Sequence, residues 1–167
     1  MALEQEILRE EWEETQHGRF LTFVVDGEAL GVEIAYVKEI IGIQPIARLP
    51  DTPAYIKGVI NLRGKIIPVI DMRLKFNKLP ADYTDRTCVI VVDIGHYSAG
   101  LIVDRVTEVL RIEQSDIVPP PEQSAGPGNY IKGIGKSDGQ IKLLLDTEKL
   151  LAYERPLYIK EQELIIS

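Results

Sequence analysis

The sequence predicts a mainly β protein assembled from two copies of one small unit, and three observations carry that prediction. Valine and isoleucine number 13 and 22 and fall in short runs, such as Phe23-Val24-Val25, Ile66-Ile67-Pro68-Val69-Ile70 and Val89-Ile90-Val91-Val92. Runs of β-branched residues punctuated by Gly, Pro, Asn and Asp favour strands, because the branched side chain packs on a pleated surface and is crowded in a helical turn. Second, Tyr55-Ile56-Lys57-Gly58 recurs letter for letter as Tyr130-Ile131-Lys132-Gly133, an offset of 75. Gly64 to Asp71 matches Gly139 to Asp146 at the same offset, and Gly31 to Ile40 matches Gly100 to Val109 at an offset of 69. Third, 45% hydrophobic and 27% charged residues in a chain of 167 make an ordinary globular balance, with no apolar run near the ~18 residues that span a bilayer.

Residues 1–17 form an acidic N-terminal segment. Six glutamates stand there against Arg9, so five of the seven net negative charges precede His17. Leu3, Ile7 and Trp12 share one side of a helix, but the stripe is thin and the glutamates repel one another. Helix and tail both remain open for this segment. Each repeat is then expected to run strand, turn, strand, loop, strand, turn, strand, short helix. In the first copy Leu30, Val32 and Ile34 face one side of a strand. Asp71 caps a short helix over Met72–Phe76. Asn77 to Arg86 is polar and turn-rich and reads as the linker. In the second copy Pro119-Pro120-Pro121 marks an extended connection. Ile141, Leu143 and Leu145 alternate against Gln140 and Lys142, and Asp146 caps a helix over Thr147–Leu151. A unit of roughly 65 residues buries too little surface to stand alone. Two such units are expected to curl into small barrels, about 18–80 and about 85–150, on a common apolar core, with exchange of elements between them left open. Residues 156–167 form a C-terminal segment.

The chain offers little for catalysis. Gly133-Ile-Gly135-Lys136-Ser137 resembles the end of a phosphate-binding loop, but the motif needs a glycine five residues before Gly135, where Tyr130 stands. Ser137-Asp138-Gly139 supplies hairpin chemistry there instead. His17 and His96 have no partner at a metal-ligand spacing. The single Cys88 cannot form an intramolecular disulfide and lacks a feature that would lower its pKa. Asp71 and Asp146 recur as symmetry mates, which capping explains without a paired-carboxylate mechanism. No enzymatic activity, cofactor or metal is expected. An acidic protein without a basic stripe is a poor candidate for nucleic-acid binding. With a charged start lacking an apolar signal core, the expected location is the cytoplasm, without direct membrane insertion. One feature breaks the repeat. Asn61-Leu62-Arg63-Gly64 at a hairpin tip has no counterpart in the second half, which reads either as an ordinary turn or as a recognition tip.

The run from Thr52 to Asp71, Thr-Pro-Ala-Tyr-Ile-Lys-Gly-Val-Ile-Asn-Leu-Arg-Gly-Lys-Ile-Ile-Pro-Val-Ile-Asp, resembles the signature of the CheW family, coupling proteins of bacterial chemotaxis. Phe20-Leu-Thr-Phe23, Gly31 to Ile34, Val37 to Ile40, Gly100 to Asp104 and Glu148 to Leu151 fit the same family. The resemblance covers residues 18–155. It implies two five-stranded Src-homology-3-like barrels in pseudo-repeat on a shared hydrophobic core, with short helices. It also implies a noncatalytic adaptor joining the cytoplasmic tip of methyl-accepting chemoreceptors to the regulatory domain of the CheA histidine kinase, recruited to membrane-associated receptor arrays. The alternative is an adaptor of another receptor–kinase pathway, in motility or development. Carried over by position, the receptor-binding residues are Val37, Glu39, Gly58 and Arg63, with Val106 and Val109 across a groove. For Gly58 and the valines, close backbone approach and core packing are competing explanations. No residue is assigned to the kinase.

Overall fold

The computed structural model describes residues 3–4, 17–95, 97–121 and 130–152. Its strands are β1 (Arg19–Val25), β2 (Glu28–Glu33), β3 (Val37–Gly42), β4 (Ile56–Leu62), β5 (Lys65–Asp71), β6 (Cys88–Asp93), β7 (Ser98–Val103), β8 (Arg105–Arg111), β9 (Ile117–Val118), β10 (Ile131–Ser137) and β11 (Gln140–Leu145). Two short helices, α1 (Met72–Lys75) and α2 (Thr147–Ala152), follow β5 and β11. The aspartate caps form as expected. The Asp71 carboxylate accepts from the Arg73 and Leu74 amides at 3.0 and 3.4 Å, and that of Asp146 from the Lys149 amide at 2.9 Å. Residues 5–16, His96 and residues 153–167 lie outside the described residues, and with them the proposed packing of Ile7 and Trp12 and the C-terminal segment.

The first repeat carries five strands and the second six, the counterpart of β9 in the first being the isolated bridge between Ala47 and Val59. One strand of each repeat, β3 in the first and β8 in the second, escapes a simple reading because its apolar residues do not alternate in sequence and a bulge interrupts its pairing. The strands form a five-stranded sheet, β3-β6-β7-β5-β4, and a six-stranded sheet, β8-β1-β2-β11-β10-β9. Both halves of the chain contribute to both sheets. The hairpin β1–β2 joins the later strands through a parallel pairing of β2 with β11, and β6–β7 joins the earlier ones through β5 with β7. Register repeats with the strands. Phe20 opposes Glu33 as Val89 opposes Ile102, and Leu144 lies beside Gly31 as Val69 lies beside Gly100. A pseudo-two-fold therefore relates β3 to β8, β6 to β1, β7 to β2, β5 to β11 and β4 to β10.

Each sheet curls round its own apolar interior, and a third, larger core lies between them. These are two Src-homology-3-like barrels on a shared core. The shared core takes Leu21, Phe23, Leu30 and Val32 from one sheet, Ile70, Ile90, Val92 and Leu101 from the other, and Met72, Leu150 and Leu151 from the helices. Burying side chains of this size contributes about 1.5–3 kcal/mol each. The repeated tyrosines meet beside it. Lys75, only 7% exposed, holds its ammonium 3.7 Å from the ring centre of Tyr55 and 4.5 Å from that of Tyr130, while the two tyrosine carbonyls accept from the Asp71 and Asp146 amides. The alternation expected for β11 holds only in part. Leu143 and Leu145 face the shared core, but Ile141 is exposed and Lys142 is buried. One face of β11 meets the barrel's own interior and the other the shared core, so Leu144 is buried as completely as Leu145, whereas Ile141 sits beside the hairpin turn.

Polar clasps hold the crossovers between sheets. Asp104, between β7 and β8, takes a two-pronged contact from Arg73 of α1, 2.9 Å from Nε and 2.6 Å from Nη2, and also accepts from the Asp26 amide. Arg73 reaches Asp26 as well, and Lys78 pairs with Glu28 in the same turn. Burial pushes the Asp104 carboxyl upward, but the hydrogen bonds from Arg73 and the Asp26 amide outweigh it and hold it below the usual range. At the other crossover Tyr36 donates to Glu148 of α2 at 3.1 Å. Burial and then Glu148 push that phenol up to about 12.

Gly58 has φ of 146°, and a Cβ there would lie 2.1 Å from the Ala47 carbonyl oxygen, whereas a Cβ on Gly42 meets nothing. Gly58→Ala should therefore cost at least about 2 kcal/mol in denaturant unfolding, and Gly42→Ala within about 0.5 kcal/mol. Asp104→Asn should cost about 1–2 kcal/mol at neutral pH. The lowered folded pKa makes this contribution complete above the unfolded value of ~3.9 and removes it as pH falls through the folded one. The gap between parent and variant should accordingly close in acid, as measured by unfolding across pH 2–7 (a range set by about the carboxylate pKa).

Candidate functional site

Among the described residues, the turn between β4 and β5 is one of three two-residue hairpin loops with both residues at positive φ. Asp26-Gly27 and Asp138-Gly139 use the residues such a turn prefers, with φ of 49° and 78°, and 51° and 74°. The third is Arg63-Gly64, with φ of 52° and 85°. An arginine in the left-handed region costs about 1 kcal/mol that Asp or Asn largely avoids through local hydrogen bonding. Asn61 stabilises the turn from outside it, its side-chain oxygen accepting from the Gly64 amide at 2.8 Å. The tip is therefore rigid and presents a charge that the turn itself does not require.

Arg63 is 67% exposed and forms an ion pair with Glu39 of β3. Two of the six residues singled out in the sequence are thus in contact. Val37, at the start of β3, and Val106, near the start of β8, are half-buried pseudo-equivalents, and both pack on the shared core. Glu39 follows the bulge at Lys38 that shifts β3 against β6, and β8 shifts against β1 at the matching place. Val109 stands half exposed on β8, apart from the ion pair and on the terminal strand of the other sheet. Gly58 lies within β4, where the chain from Ala47 pairs with Val59 through hydrogen bonds of 2.9 and 2.8 Å. The backbone requirement for glycine there is complete without any ligand.

Sequence reasoning missed Ile40. It is 43% exposed and is the pseudo-equivalent of Val109 at 50%, so the two terminal strands each carry one exposed aliphatic side chain at the same position. The offset of 69 that pairs Val37 with Val106 also pairs these two, and it was the available signal. Lys38 beside Asp93, 4.0 Å apart, completes the polar part of β3. β3 and the Arg63 tip bring together a half-buried valine, the exposed Ile40 and a guanidinium tethered to a carboxylate, and β8 carries the equivalent valine and exposed aliphatic residue at the end of the other sheet. That combination suits a protein segment with an apolar stripe and a charged flank. Gly133 and Gly135 lie inside β10 and not in a phosphate-cradling loop, and no group of three or more His, Cys, Asp or Glu among the described residues could hold a metal ion. No described helix is long and apolar enough to cross a membrane.

A match to the CheW-like domain covers residues 19–155. The chain belongs to that family. It is 39% identical over 142 residues to the chemotaxis protein CheW of Klebsiella aerogenes, spanning 84% of this chain and 86% of that protein. It is 36% identical over 133 residues to the chemotaxis protein CheW of Helicobacter pylori, covering 80% and 81%. Among solved structures, the scaffolding protein TtCheW from Thermoanaerobacter tengcongensis superposes with a TM-score of 0.72 at 36% identity, over 77% of this chain and 88% of that one. The CheW-like family resemblance read from Thr52 to Asp71 and the fold class are both confirmed.

Because the turn prefers Asn at Arg63, and an ion pair this exposed contributes little, Arg63→Asn should leave stability within about 1 kcal/mol of the parent. Thermal unfolding measures it, and a larger loss would make Arg63 a structural residue.

Proposed function

We propose that the chain is a noncatalytic coupling protein that joins the cytoplasmic tips of methyl-accepting chemoreceptors to the regulatory domain of a CheA histidine kinase in bacterial chemotaxis. The observation that carries this reading is the 39% identity over 84% of the chain to a protein called chemotaxis protein CheW. The description of the structural neighbour as a scaffolding protein supports it. Work in the cytoplasm, with recruitment to membrane-associated receptor arrays, belongs to the same proposal.

The receptor-facing surface is assigned to β3, β8 and the Arg63 tip. A receptor helix laid across the junction of the two sheets buries an apolar stripe against Val37 and Val106, with Val109 on its far flank. Arg63, already exposed, then exchanges part of its contact with Glu39 for an acidic group on the helix. Gly58 acts through this surface indirectly, by fixing the strand that ends in the Arg63 turn. The hairpin end of the other barrel, between β10 and β11, where Ile141 stands exposed, is left for the kinase. The coupling protein transmits receptor state because one packed body touches both partners, and no chemical step is needed.

Calorimetric titration tests the assignment. Arg63→Glu should weaken binding of a receptor-tip fragment at least about tenfold, equivalent to ~1.4 kcal/mol, while leaving melting temperature and binding of the kinase regulatory domain unchanged. Equal loss of both partners, or a fall in melting temperature alongside, would remove Arg63 from the receptor surface.

A further inference from the structure

The two barrels share one plan but not one filling. In the five-stranded sheet the interior carries Ile60, Ile67, Val69, Val89, Val91 and Ile102, none more than 3% exposed. At the offsets that relate the two units, the six-stranded sheet has Gly135, Lys142, Leu144, Phe20, Thr22 and Glu33. Four aliphatic side chains have become a glycine, a lysine, a threonine and a glutamate. The apolar cluster that remains is Phe20, Ile112 and Leu144, with Ile117 packed against it.

Ile112 and Leu144 fill the space above Gly135, and a cavity of about 270 Å³ opens at the barrel mouth, with Glu33 in its lining and that same cluster as its apolar wall. Its rim holds charges of both signs in two ion pairs. Lys132 of β10 pairs with Glu33 of β2, both about one-third exposed, and Arg111 pairs with Glu113 at 3.3 Å, both largely exposed. A ligand carrying one charge would take one member of a pair and leave the other uncompensated in a partly desolvated site, which is costly. A zwitterion satisfies both signs together. The apolar wall accepts a hydrocarbon or aromatic side chain, and the volume falls below the ~300–1,000 Å³ that drug-sized ligands occupy.

We propose that the mouth of the six-stranded barrel is a binding site for a small zwitterion with an apolar side chain, of the class of the free aliphatic or aromatic α-amino acids. Lys132 and Arg111 face its carboxylate, Glu33 and Glu113 face its ammonium, and Phe20, Ile112, Ile117 and Leu144 receive its side chain. The site is separate from Arg63 and does not depend on the coupling role.

Amide spectra of the full-length chain, titrated with L-leucine and L-phenylalanine, test it. Saturable shifts confined to the amides around Glu33, Ile112, Ile117 and Lys132, with affinity of about 1 mM or tighter, are expected. Isovalerate and isoamylamine, which keep the side chain and one charge each, should bind at least about tenfold more weakly. The Glu33→Gln, Lys132→Met double variant, which keeps the shape of the wall, should lose affinity to the same extent. Arg63→Glu should bind as the parent does. Absence of saturable shifts in the parent, equal binding of the singly charged analogues, or undiminished binding by a folded double variant would each overturn the proposal. The comparison of analogues on the unaltered chain stands even where the double variant does not fold.

Discussion

Two parallel strand pairings, β5 with β7 and β11 with β2, hold everything else in place. Each joins a hairpin from one half of the chain to strands of the other, so neither sheet can close on its own sequence. The chain passes from one sheet to the other at Ile34–Tyr36 and again at Asp104, and there Tyr36 with Glu148 and Arg73 with Asp104 tie it to the two helices. The large shared core follows from the exchange, because every unit must bury its outer face against the other. So does the position of the candidate site. β3 and β8 begin directly after the two crossovers, and their relative placement is set by the whole fold and not by a local loop.

Much of this was legible in the sequence, and the remainder has definable reasons. The repeated Tyr-Ile-Lys-Gly and the recurring aspartates announced two units and two capped helices, since capping and hairpin chemistry are local and leave residue-level marks. The exchange of hairpins left none. It is made by backbone hydrogen bonds between strands distant in sequence, to which side-chain pattern is indifferent. β3 and β8 were hidden because they are terminal strands, half exposed and bulged, so that Lys38 and Thr107 interrupt their alternation. Ile141 misled for the opposite reason: its spacing is that of a core residue, but it lies beside the Asp138-Gly139 turn, past the end of the covered surface.

The pseudo-symmetry also directs attention to the places where it fails. Arg63 stands in a turn where the equivalent position carries Asp138. Lys75 lies between Tyr55 and Tyr130, where its counterpart in the second half is Leu150. Gly135 and Lys142 replace Ile60 and Ile67. A duplicated scaffold explains what the halves share through packing alone, whereas differences at equivalent, structurally similar positions call for a local cause. For Lys75 that cause is internal: an ammonium between two aromatic faces gives the junction a single arrangement. Arg63 has no such internal account, and the turn would be as stable or more so without it. Among the six residues carried over from the family, it is the one whose chemistry is least explained by folding, while Gly58 is the one most fully explained by it.

The proposed coupling role requires one packed body to hold two partners at separate surfaces. The most direct measurement is sedimentation of the full chain with a receptor-tip fragment and a kinase regulatory domain together, at concentrations that saturate each pair. A ternary complex containing all three, in which neither partner displaces the other, is the predicted result. Mutual exclusion of receptor tip and kinase domain, with each binding alone, would contradict the account, because a coupling protein with one shared surface cannot bridge.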